Sequence, residues 1–253
     1  MERLPPHFVL KSYGTVESTN DIAKGLIEDP VLANDRESIY VVCAKSQTKG
    51  RGRLGREWVS PEGNLYASFL LRQPTLVIAQ MPQLSFVAAI AVGKAIETFS
   101  SENINLQYKW PNDVIVNGKK VGGILVESDF QETSRSTTCI VGIGVNLIEA
   151  PQKALFPAGC LKEEIQKLVT VDDFLPVLCK QFWHFYTLWL EQGFLPIRDE
   201  WLKRAYALGS EISLRAPHEE NGTLVGLNEV GALILKTEAG PEKLIHTGEI
   251  TNT

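Results

Sequence analysis

The sequence predicts a mixed α/β (α+β) fold, in which a mixed β-sheet is flanked by helices and followed by a small β-barrel. Segments rich in β-branched residues alternate with amphipathic helical segments as far as about residue 207. From residue 208 the helical period is absent, and short strand-like segments are separated by turn residues. We therefore expect two domains, residues 1–207 and 208–253. Because the second is near the lower size limit for an independent core, it should pack against the first.

The elements of the first half follow from local patterns. Cap-type residues precede a helical apolar pattern in residues 17–27. Residues rich in β-branched and aromatic side chains predict strands at 38–46 and 65–71, with a glycine–arginine loop between them. Apolar residues at a period of about 3.6 predict a buried helix at 82–99.

The second half begins with the strongest turn signal in the chain. Asn117-Gly118 lies between two β-branched runs and predicts a hairpin. A buried strand at 139–147 and helices at about 161–168, 171–191 and 195–207 should follow. The aromatic stripe of the long helix indicates core packing. The barrel strands are expected at 211–215, 223–227, 232–236 and 243–246, with Asn221-Gly222 as one of the turns.

The overall composition is that of an ordinary globular protein, with 44% apolar and 22% charged residues. A formal charge of -5 and a pI near 5.5 argue against broad electrostatic binding of nucleic acid. The basic loop is therefore a local feature, and it favours a specific anionic ligand.

Cysteine and histidine usage indicates neither a disulfide framework nor a metal centre. The four cysteines show no C-x-x-C pairing and the four histidines are scattered, so no protein-held metal site is predicted. We interpret the cysteines as small core residues of a reduced, cytoplasmic protein. The N-terminus lacks a signal-like apolar run, and no membrane-spanning stretch is present, so no membrane partner is expected.

Residues 49–58, Lys-Gly-Arg-Gly-Arg-Leu-Gly-Arg-Glu-Trp, combine cations with glycines. Arginine forks suit phosphate or carboxylate, and glycine lets backbone amides approach a ligand, so the loop should close over a small anion. Gly50, Gly52 and Gly55 also match the dinucleotide pattern G-x-G-x-x-G, but a strand rather than a helix follows them. A solvated basic loop without a ligand is the simplest alternative.

Four blocks together resemble the signature motifs of the biotin protein ligase family. They are residues 49–58, Lys-Trp-Pro-Asn-Asp-Val at 109–114, Lys-Val-Gly-Gly-Ile-Leu-Val-Glu at 120–127, and Gly-Ile-Gly-Val-Asn-Leu at 142–147. Glu-Ser-Thr-Asn at 17–20 adds to the match, which spans about residues 16–147. The resemblance implies a catalytic domain of the class II aminoacyl-tRNA synthetase/biotin ligase type and an SH3-like C-terminal barrel.

The resemblance also implies a two-step reaction. Biotin and ATP, with Mg²⁺ carried by the nucleotide, would give biotinyl-5'-AMP and pyrophosphate. A lysine of a biotin carboxyl carrier domain would then attack the mixed anhydride and release AMP. The partners implied are thus biotin, ATP and the carrier domain of a carboxylase such as acetyl-CoA carboxylase.

The catalytic residues implied are Lys120, Arg53 and Asp113. Lys120 would contact the biotin carboxylate and the α-phosphate, and Asp113 would either align Lys120 or help to hold magnesium. The remaining binding residues implied are Ser18, Thr19, Asn20, Gln47, Gly50, Arg51, Gly52, Arg56, Trp58, Asn112, Gly122, Gly123 and Asn146.

Within this set, Arg51 and Arg53 are expected to face phosphates, with Arg56 and Lys49 compensating for Leu54, where the family has a further cation. The adenine would lie near Trp58, Asn112 and Asn146. The biotin ureido group would lie near Ser18, Thr19 and Gln47, and the biotin tail along Gly122-Gly123. The alternatives are structural: helix caps at Ser18 and Thr19, a core ring at Trp58, a turn residue at Asp113, and surface charges at Lys119 and Lys120. Gly142 and Gly144 either bring the strand close to a ligand or form a bulge.

Two other functions are compatible with parts of the pattern. Lipoate or octanoate attachment uses a related fold, but its family lacks the arginine-rich block joined to Lys-Trp-Pro-Asn-Asp. A biotin-responsive DNA-binding repressor would need an N-terminal helix-turn-helix, for which the residues before Ser18 leave no room. We therefore expect a monofunctional ligase that does not bind DNA. The sequence does not choose between a monomer and a homodimer.

Overall fold

The computed structural model describes residues 4–29, 32, 35, 37–72, 78–100, 103–131, 136–215, 219–237 and 240–251. Within these ranges, no helix has the length and apolar character needed to cross a membrane.

A seven-stranded mixed sheet forms the centre of the larger domain. Its strands are β1 Phe8–Val16, β2 Ile39–Gln47, β3 Leu65–Leu71, β4 Leu106–Lys109, β5 Asp113–Val116, β6 Lys119–Gln131 and β7 Ser136–Val145. Their order across the sheet is β1-β2-β3-β7-β6-β5-β4. Only the β1–β2 pair is parallel, which makes the sheet mixed, as predicted.

Helices cover both faces of this sheet. They are α1 Thr19–Gly25, α2 Gln83–Phe99, α3 Leu161–Glu164, α4 Val171–Gln192 and α5 Phe194–Leu202. The aromatic stripe of α4 packs in the core, with the rings of Phe182 and Phe69 centred 4.7 Å apart, which confirms its predicted meaning. α1 packs over a second, smaller cluster that includes Ala23, Val42 and Leu70. All four cysteines are free and buried.

The C-terminal strands form a five-stranded antiparallel sheet. They are β8 Glu211–Arg215, β9 Glu219–Leu227, β10 Leu233–Lys236, β11 Lys243–Ile245 and β12 Glu249–Thr251, in the order β11-β10-β9-β8-β12. The indole of Trp110 donates a buried hydrogen bond of 3.1 Å to the carbonyl of Gly231. A Cβ on Gly231 would come within 2.8 Å of Phe86 on α2. The small sheet therefore packs closely on the larger domain, as its size predicted.

The hairpin predicted at Asn117-Gly118 is present between β5 and β6. Both turn residues have positive φ, 51° for Asn117 and 78° for Gly118. This is the conformation of a type I′ turn, whose twist matches that of antiparallel strands. The turn places Lys119 and Lys120 at the start of β6.

Several predicted elements need correction. β1 and β12 were not predicted, and Asn221-Gly222 is not a turn because both residues pair with β8 inside β9. The helix predicted at 161–168 ends at Glu164, shortly before Gln166, whose φ is 49°. The helix predicted at 195–207 ends at Leu202 because the following residues leave it to pair with β4, where Tyr108 N donates to Arg204 O and Tyr206 N to Tyr108 O. This pairing covers the outer edge of β4, the last strand of the sheet, whose backbone N–H and C=O groups would otherwise lack partners in the sheet.

Candidate active site

A cavity of about 390 Å³ lies over β6 and β7, beneath the loop that follows β2. Its wall includes most of the residues predicted from the sequence, namely Ser18, Thr19, Asn20, Gln47, Arg51, Gly52, Arg53, Arg56, Trp58, Asn112, Asp113, Lys120, Gly123 and Asn146. Gly248 and Glu249 of the small domain and residues of the segment 151–158 complete the wall. The fold thus brings together residues that are widely separated in the sequence.

Two of the predicted binding residues do not line the cavity. Gly122 faces the core, where a Cβ would contact Val114 at 3.5 Å and Val92 of α2 at 3.7 Å. Gly50 is buried under the end of its own loop, and a Cβ there would lie 2.5 Å from Ser60 Oγ. Gly50 is therefore required by the close approach of two chain segments, and the tail space expected at Gly122-Gly123 is open to the cavity only at Gly123.

A network of neutral hydrogen bonds forms one end of the cavity. Gln47 Oε1 accepts from the backbone nitrogen of Thr19 at 2.8 Å and from its hydroxyl at 3.1 Å. Ser68 Oγ lies 2.8 Å from Thr19 Oγ1 and 2.6 Å from Asn20 Oδ1. Ser18 is the N-cap residue of α1, but its side chain makes no capping hydrogen bond. These uncharged donors and acceptors suit a neutral polar ligand group.

The first arginine of the loop is held by two carboxylates. Arg51 donates from both terminal nitrogens to Asp21, at 2.7 and 2.8 Å, and from one of them to Glu127 Oε2 at 3.1 Å. The hydrogen bond from Arg51 holds the pKa of Asp21 below its usual value. Arg51 therefore belongs to a structured ion-pair cluster, and only part of its side chain faces the cavity.

The loop itself is a small hairpin. Trp58 N donates to Gly50 O at 2.9 Å, and Gly52 N donates to Arg56 O at 2.7 Å. At its tip Leu54 and Gly55 have positive φ of 56° and 71°. Leu54 is 74% exposed, and its left-handed backbone conformation is unfavourable for residues that have a Cβ.

The tip of the loop contacts the small domain. Arg53 donates to the carbonyl of Gly248 at 3.2 Å, and Arg56 lies 2.5 Å from Glu249 Oε2. Burial is the main cause of a lowered pKa for Arg53. The small domain therefore supplies both a backbone acceptor and a carboxylate to this end of the cavity.

Four cations and two carboxylates form the second, charged end. Lys120 Nζ lies 2.6 Å from Asp113 Oδ1, and Arg53 and Arg56 approach from the loop. Behind them Lys109, only 1% exposed, lies 3.8 Å from Asp113 and 4.0 Å from Glu249, with its ammonium 4.2 Å from the ring centre of Phe156. Burial lowers the pKa of Lys109. Such a concentration of positive charge suits a polyanion.

The backbone of Lys120 is fixed on both sides by a neighbouring segment. Lys120 N donates to Pro157 O at 2.7 Å, and Gly159 N donates to Lys120 O at 3.0 Å. The amide of Asn146 donates to Gly159 O at 3.1 Å, which ties this segment to the end of β7. The adjacent Lys119 is half-exposed and pairs with the buried carboxylate of Glu164 at 2.8 Å, so it anchors the hairpin.

The indole of Trp58 lies in the cavity over two glycines. A Cβ on Gly144 would come 2.6 Å from Trp58 Nε1, and one on Gly123 would come 3.0 Å from the far edge of the ring. The strand β7 keeps a regular register with both neighbours through Gly142 and Gly144, so the alternative of a bulge is wrong. Lys120 Nζ lies 5.4 Å from the ring centre. The indole thus forms a flat wall between the neutral and the charged ends.

Comparisons with known proteins show which family this chain resembles. A sequence model of the biotin/lipoate A/B protein ligase family matches residues 14–146, and one of the biotin protein ligase C-terminal domain matches residues 207–251. The biotin–[acetyl-CoA-carboxylase] ligase of Paracoccus denitrificans is 40% identical over 205 residues, which cover 79% of this chain and 85% of that protein.

The chain belongs to the biotin protein ligase family.

Other members of the family support the same fold. The bifunctional ligase/repressor BirA of Bacillus subtilis is 35% identical over 218 residues, which cover 81% of this chain and 63% of that protein. The Aquifex aeolicus biotin protein ligase, solved in complex with biotin and ATP, superposes with a TM-score of 0.77 at 32% identity, covering 96% of this chain and 97% of that one. The predicted biotin ligase fold with an SH3-like C-terminal domain is therefore confirmed.

The residues present fit a magnesium ion only if the nucleotide brings it. Across the part of the chain that the structure describes, no group of three or more His, Cys, Asp or Glu side chains could hold a metal. Asp113 offers one buried carboxylate, and its Oδ1 accepts no hydrogen bond despite its short ion pair with Lys120. Magnesium is commonly held by one or two carboxylates together with substrate phosphates, so Asp113 could supply the protein ligand.

The sequence did not identify several residues of this biotin protein ligase site. Lys109 is the first residue of the block at 109–114, so its place in that block was the signal that could have identified it. Glu127 ends one block and Asp21 directly follows another, but their common partner Arg51 is distant in sequence. Glu249 carries no local signal because only the packing of the small domain brings it to the cavity.

Proposed function

We propose that this protein is a biotin–[biotin carboxyl carrier protein] ligase. It activates biotin with ATP as biotinyl-5'-AMP and transfers the biotinyl group to a lysine of a carrier domain. The observation that carries the proposal is a single cavity with a neutral hydrogen-bonding end, a cationic end, and Lys120 beside the indole wall between them. The names of the Paracoccus relative and of the Aquifex complex with biotin and ATP support the same reaction.

At the neutral end, the cavity binds the ureido ring of biotin. Ser18, Thr19 and Gln47 offer hydroxyl, amide and carbonyl groups that match the donors and acceptors of an uncharged urea. Because Thr19 and Gln47 are already held by hydrogen bonds to each other and to Ser68, their side chains lose little conformational entropy when the ligand binds. The tail then runs past Gly123 toward Lys120.

At the charged end, the cations offset repulsion between two anions. The biotin carboxylate must approach the α-phosphate, and Lys120 and Arg53 stabilise the charge that develops on the phosphoryl oxygens. Arg56 takes the remaining phosphates, the buried Lys109 adds positive charge behind it, and a nucleotide-carried magnesium would add charge neutralisation near Asp113. The carboxylate oxygen forms a bond to the α-phosphorus as the bond to the β-phosphate breaks, and pyrophosphate leaves.

The second step needs an uncharged lysine amine from the carrier. Its nitrogen attacks the acyl carbon, the bond from that carbon to the phosphate oxygen breaks, AMP leaves, and the nitrogen loses a proton. The loop over the cavity excludes water from the anhydride between the two steps. The purine of the adenylate lies near Trp58, Asn112 and Asn146, where an aromatic face and two amides line the wall.

A pyrophosphate-release assay tests the first step. Purified protein with ATP and magnesium should release pyrophosphate when biotin is added, and mass spectrometry should detect biotinyl-5'-AMP. Labelled biotin should then appear on the lysine of a carrier domain, whereas labelled lipoate should not. Lipoate transfer without biotin transfer would replace the proposed substrate, and the absence of any acyl-adenylate would overturn the reaction.

The same proposal includes the cellular location of the enzyme, its lack of DNA binding and its oligomeric state. We place the enzyme in the cytoplasm, which the four free cysteines support, and expect no DNA binding at its acidic pI. Retarded migration of biotin-operon DNA at physiological salt would contradict the second expectation. The choice between a monomer and a homodimer is a matter for sedimentation measurements with and without biotin and ATP.

A further inference from the structure

Arg51 is held by more hydrogen bonds than the other arginines of the loop. Asp21 at the start of α1 and Glu127 on β6 approach its guanidinium with five hydrogen bonds of 2.7 to 3.4 Å. Neither carboxylate lines the cavity. In contrast, the side chains of Arg53 and Arg56 contact the small domain, through one backbone carbonyl and one carboxylate respectively. The loop is therefore fixed strongly at its first arginine and more weakly at its tip.

A continuous hydrogen-bond chain links this anchor to the neutral end of the cavity. Glu127 Oε2 accepts from the amide of Asn20 at 2.6 Å, and Asn20 Oδ1 accepts from Ser68 at 2.6 Å. Ser68 in turn lies 2.8 Å from Thr19, which contacts Gln47.

The same chain then returns to the other end of the loop. Gln47 Nε2 donates to Ser60 Oγ at 3.0 Å, and Ser60 Oγ donates to Trp58 O at 2.7 Å. Both ends of the loop are therefore connected through the side chains that face the biotin ring.

We propose that Asp21 and Glu127 are positioning residues that make Arg51 the anchor of the loop and set its geometry for biotin, so that Arg51 does not serve as a phosphate ligand. The assignment rests on the proposed biotin ligase function. Arg53 and Arg56 are then the loop cations that meet the nucleotide. Neutralising either carboxylate removes charge-assisted hydrogen bonds to Arg51 and frees the start of the loop, and neutralising Glu127 also weakens its hydrogen bond from Asn20.

The opposite assignment makes opposite predictions. If Arg51 binds phosphate during the reaction, Asp21 and Glu127 compete with ATP for it. Removing their charge would then lower the KM for ATP and leave the KM for biotin unchanged. The anchor assignment predicts a higher KM for biotin with little change for ATP.

The test uses the full chain with Asp21→Asn, Glu127→Gln and Arg51→Lys. Asp129→Asn is the matched control because Asp129 lies two residues beyond Glu127 on β6 and pairs with Lys24 of α1 at 3.5 Å, away from Arg51. In pyrophosphate release, each test variant should raise the KM for biotin about tenfold and change the KM for ATP less than twofold. This includes Arg51→Lys, because an ammonium cannot make the paired hydrogen bonds that the guanidinium makes to Asp21 while it also contacts Glu127. A lower KM for ATP with an unchanged KM for biotin overturns the proposal.

A second measurement does not depend on the reaction. Trypsin cleaves after the loop arginines, and an unanchored loop is open to it more often. Cleavage within residues 51–56 of the ligand-free protein should be several times faster in Asp21→Asn and Glu127→Gln, and unchanged in Asp129→Asn. The comparison is made among variants that retain the wild-type unfolding transition. Equal cleavage rates in all of them contradict the role of Arg51 as the loop anchor, whether or not biotin proves to be the substrate. Failure of wild-type pyrophosphate release alone contradicts only the proposed function.

Discussion

The two ends of the cavity are built from different kinds of interaction. At the neutral end, Thr19, Asn20, Gln47 and Ser68 satisfy one another within the larger domain, with hydrogen bonds of 2.6 to 3.1 Å. At the charged end, the contacts include ion pairs as long as 3.8 and 4.0 Å, and Glu249 is contributed by the small domain. The first end is preorganised, whereas the second holds its cations beside carboxylates that a phosphate chain can replace.

This difference follows from the ligands that the ends are proposed to bind. An uncharged ring gains specificity from fixed dipoles, which have the largest effect when they need no rearrangement. Four cations without nearby anions would repel one another before the nucleotide arrives. Asp113 and Glu249 relieve that repulsion, and both lie within ion-pair distance of Lys109. The comparison therefore predicts that the two ends respond to different substitutions.

The largest effect is expected at the charged end for Lys120→Ala. Loss of the cation at the junction should slow biotin-dependent pyrophosphate release by about 100-fold or more. Lys119→Ala is the matched control, since Lys119 pairs with Glu164 outside the cavity and its loss should reduce the rate no more than about threefold. Equal rates for Lys120→Ala and wild type would remove Lys120 from the mechanism.

At the neutral end, Gly142→Ala should raise the KM for biotin about tenfold and leave the KM for ATP nearly unchanged. The new Cβ would lie 2.5 Å from Asn20 Oδ1, so the amide must move and break its hydrogen bonds. Gly25→Ala serves as the control because no atom lies within 4 Å of a Cβ at that position. A rise in the KM for ATP instead would show that the two ends are not separate.

A smaller effect is expected for Arg53→Gly at the loop tip. The fold should remain intact, while biotinyl-5'-AMP should escape several times faster and label lysines of unrelated proteins. Lys45→Ala removes an exposed cation that pairs with Glu62, and should leave escape unchanged. The measurement is the release of labelled adenylate from a single-turnover complex, and an unchanged release rate would contradict loop closure.

The smallest effect on stability is expected for Lys109→Met. Asp113 and Glu249 keep the closer cations Lys120 and Arg56, so the free energy of unfolding should change by no more than about 1 kcal/mol. A methionine can also pack against the ring of Phe156 in place of the ammonium. The KM for ATP should rise several-fold. Strong destabilisation in denaturant titrations would show that the buried ion pairs support the fold.

The pH dependence of stability gives Lys109→Met a second readout. Because burial lowers the pKa of Lys109 in the folded state, the unfolded chain binds more protons between that value and the ordinary pKa near 10.4. The Lys109 contribution to wild-type stability should therefore increase as the pH rises through this interval. The variant should lack that increase, and identical pH profiles would contradict the sign.

Local motifs predicted many residues of the cavity wall, whereas residues that long-range contacts bring to the cavity were missed. The cavity residues from Arg51 to Trp58 and at Asn112, Asp113 and Lys120 lie in blocks that the sequence already singled out. Glu249 and the partners of Arg51 could not be found in this way, because they are brought in by packing over long sequence separations. The expected roles of the individual residues stay predictions until the variants are measured.

By itself, the sequence determined the alternation of strands and helices, the hairpin at Asn117-Gly118 and the family, because these depend on residue type and spacing along the chain. Only the tertiary structure decided which glycine faces the cavity. Between Val114 and Ile115 the pairing of β5 with β6 shifts, which breaks simple alternation and turns Gly122 toward α2. The tertiary structure also decided that Arg51 is the anchored arginine, because only folding brings Asp21 and Glu127 within hydrogen-bonding distance of its guanidinium.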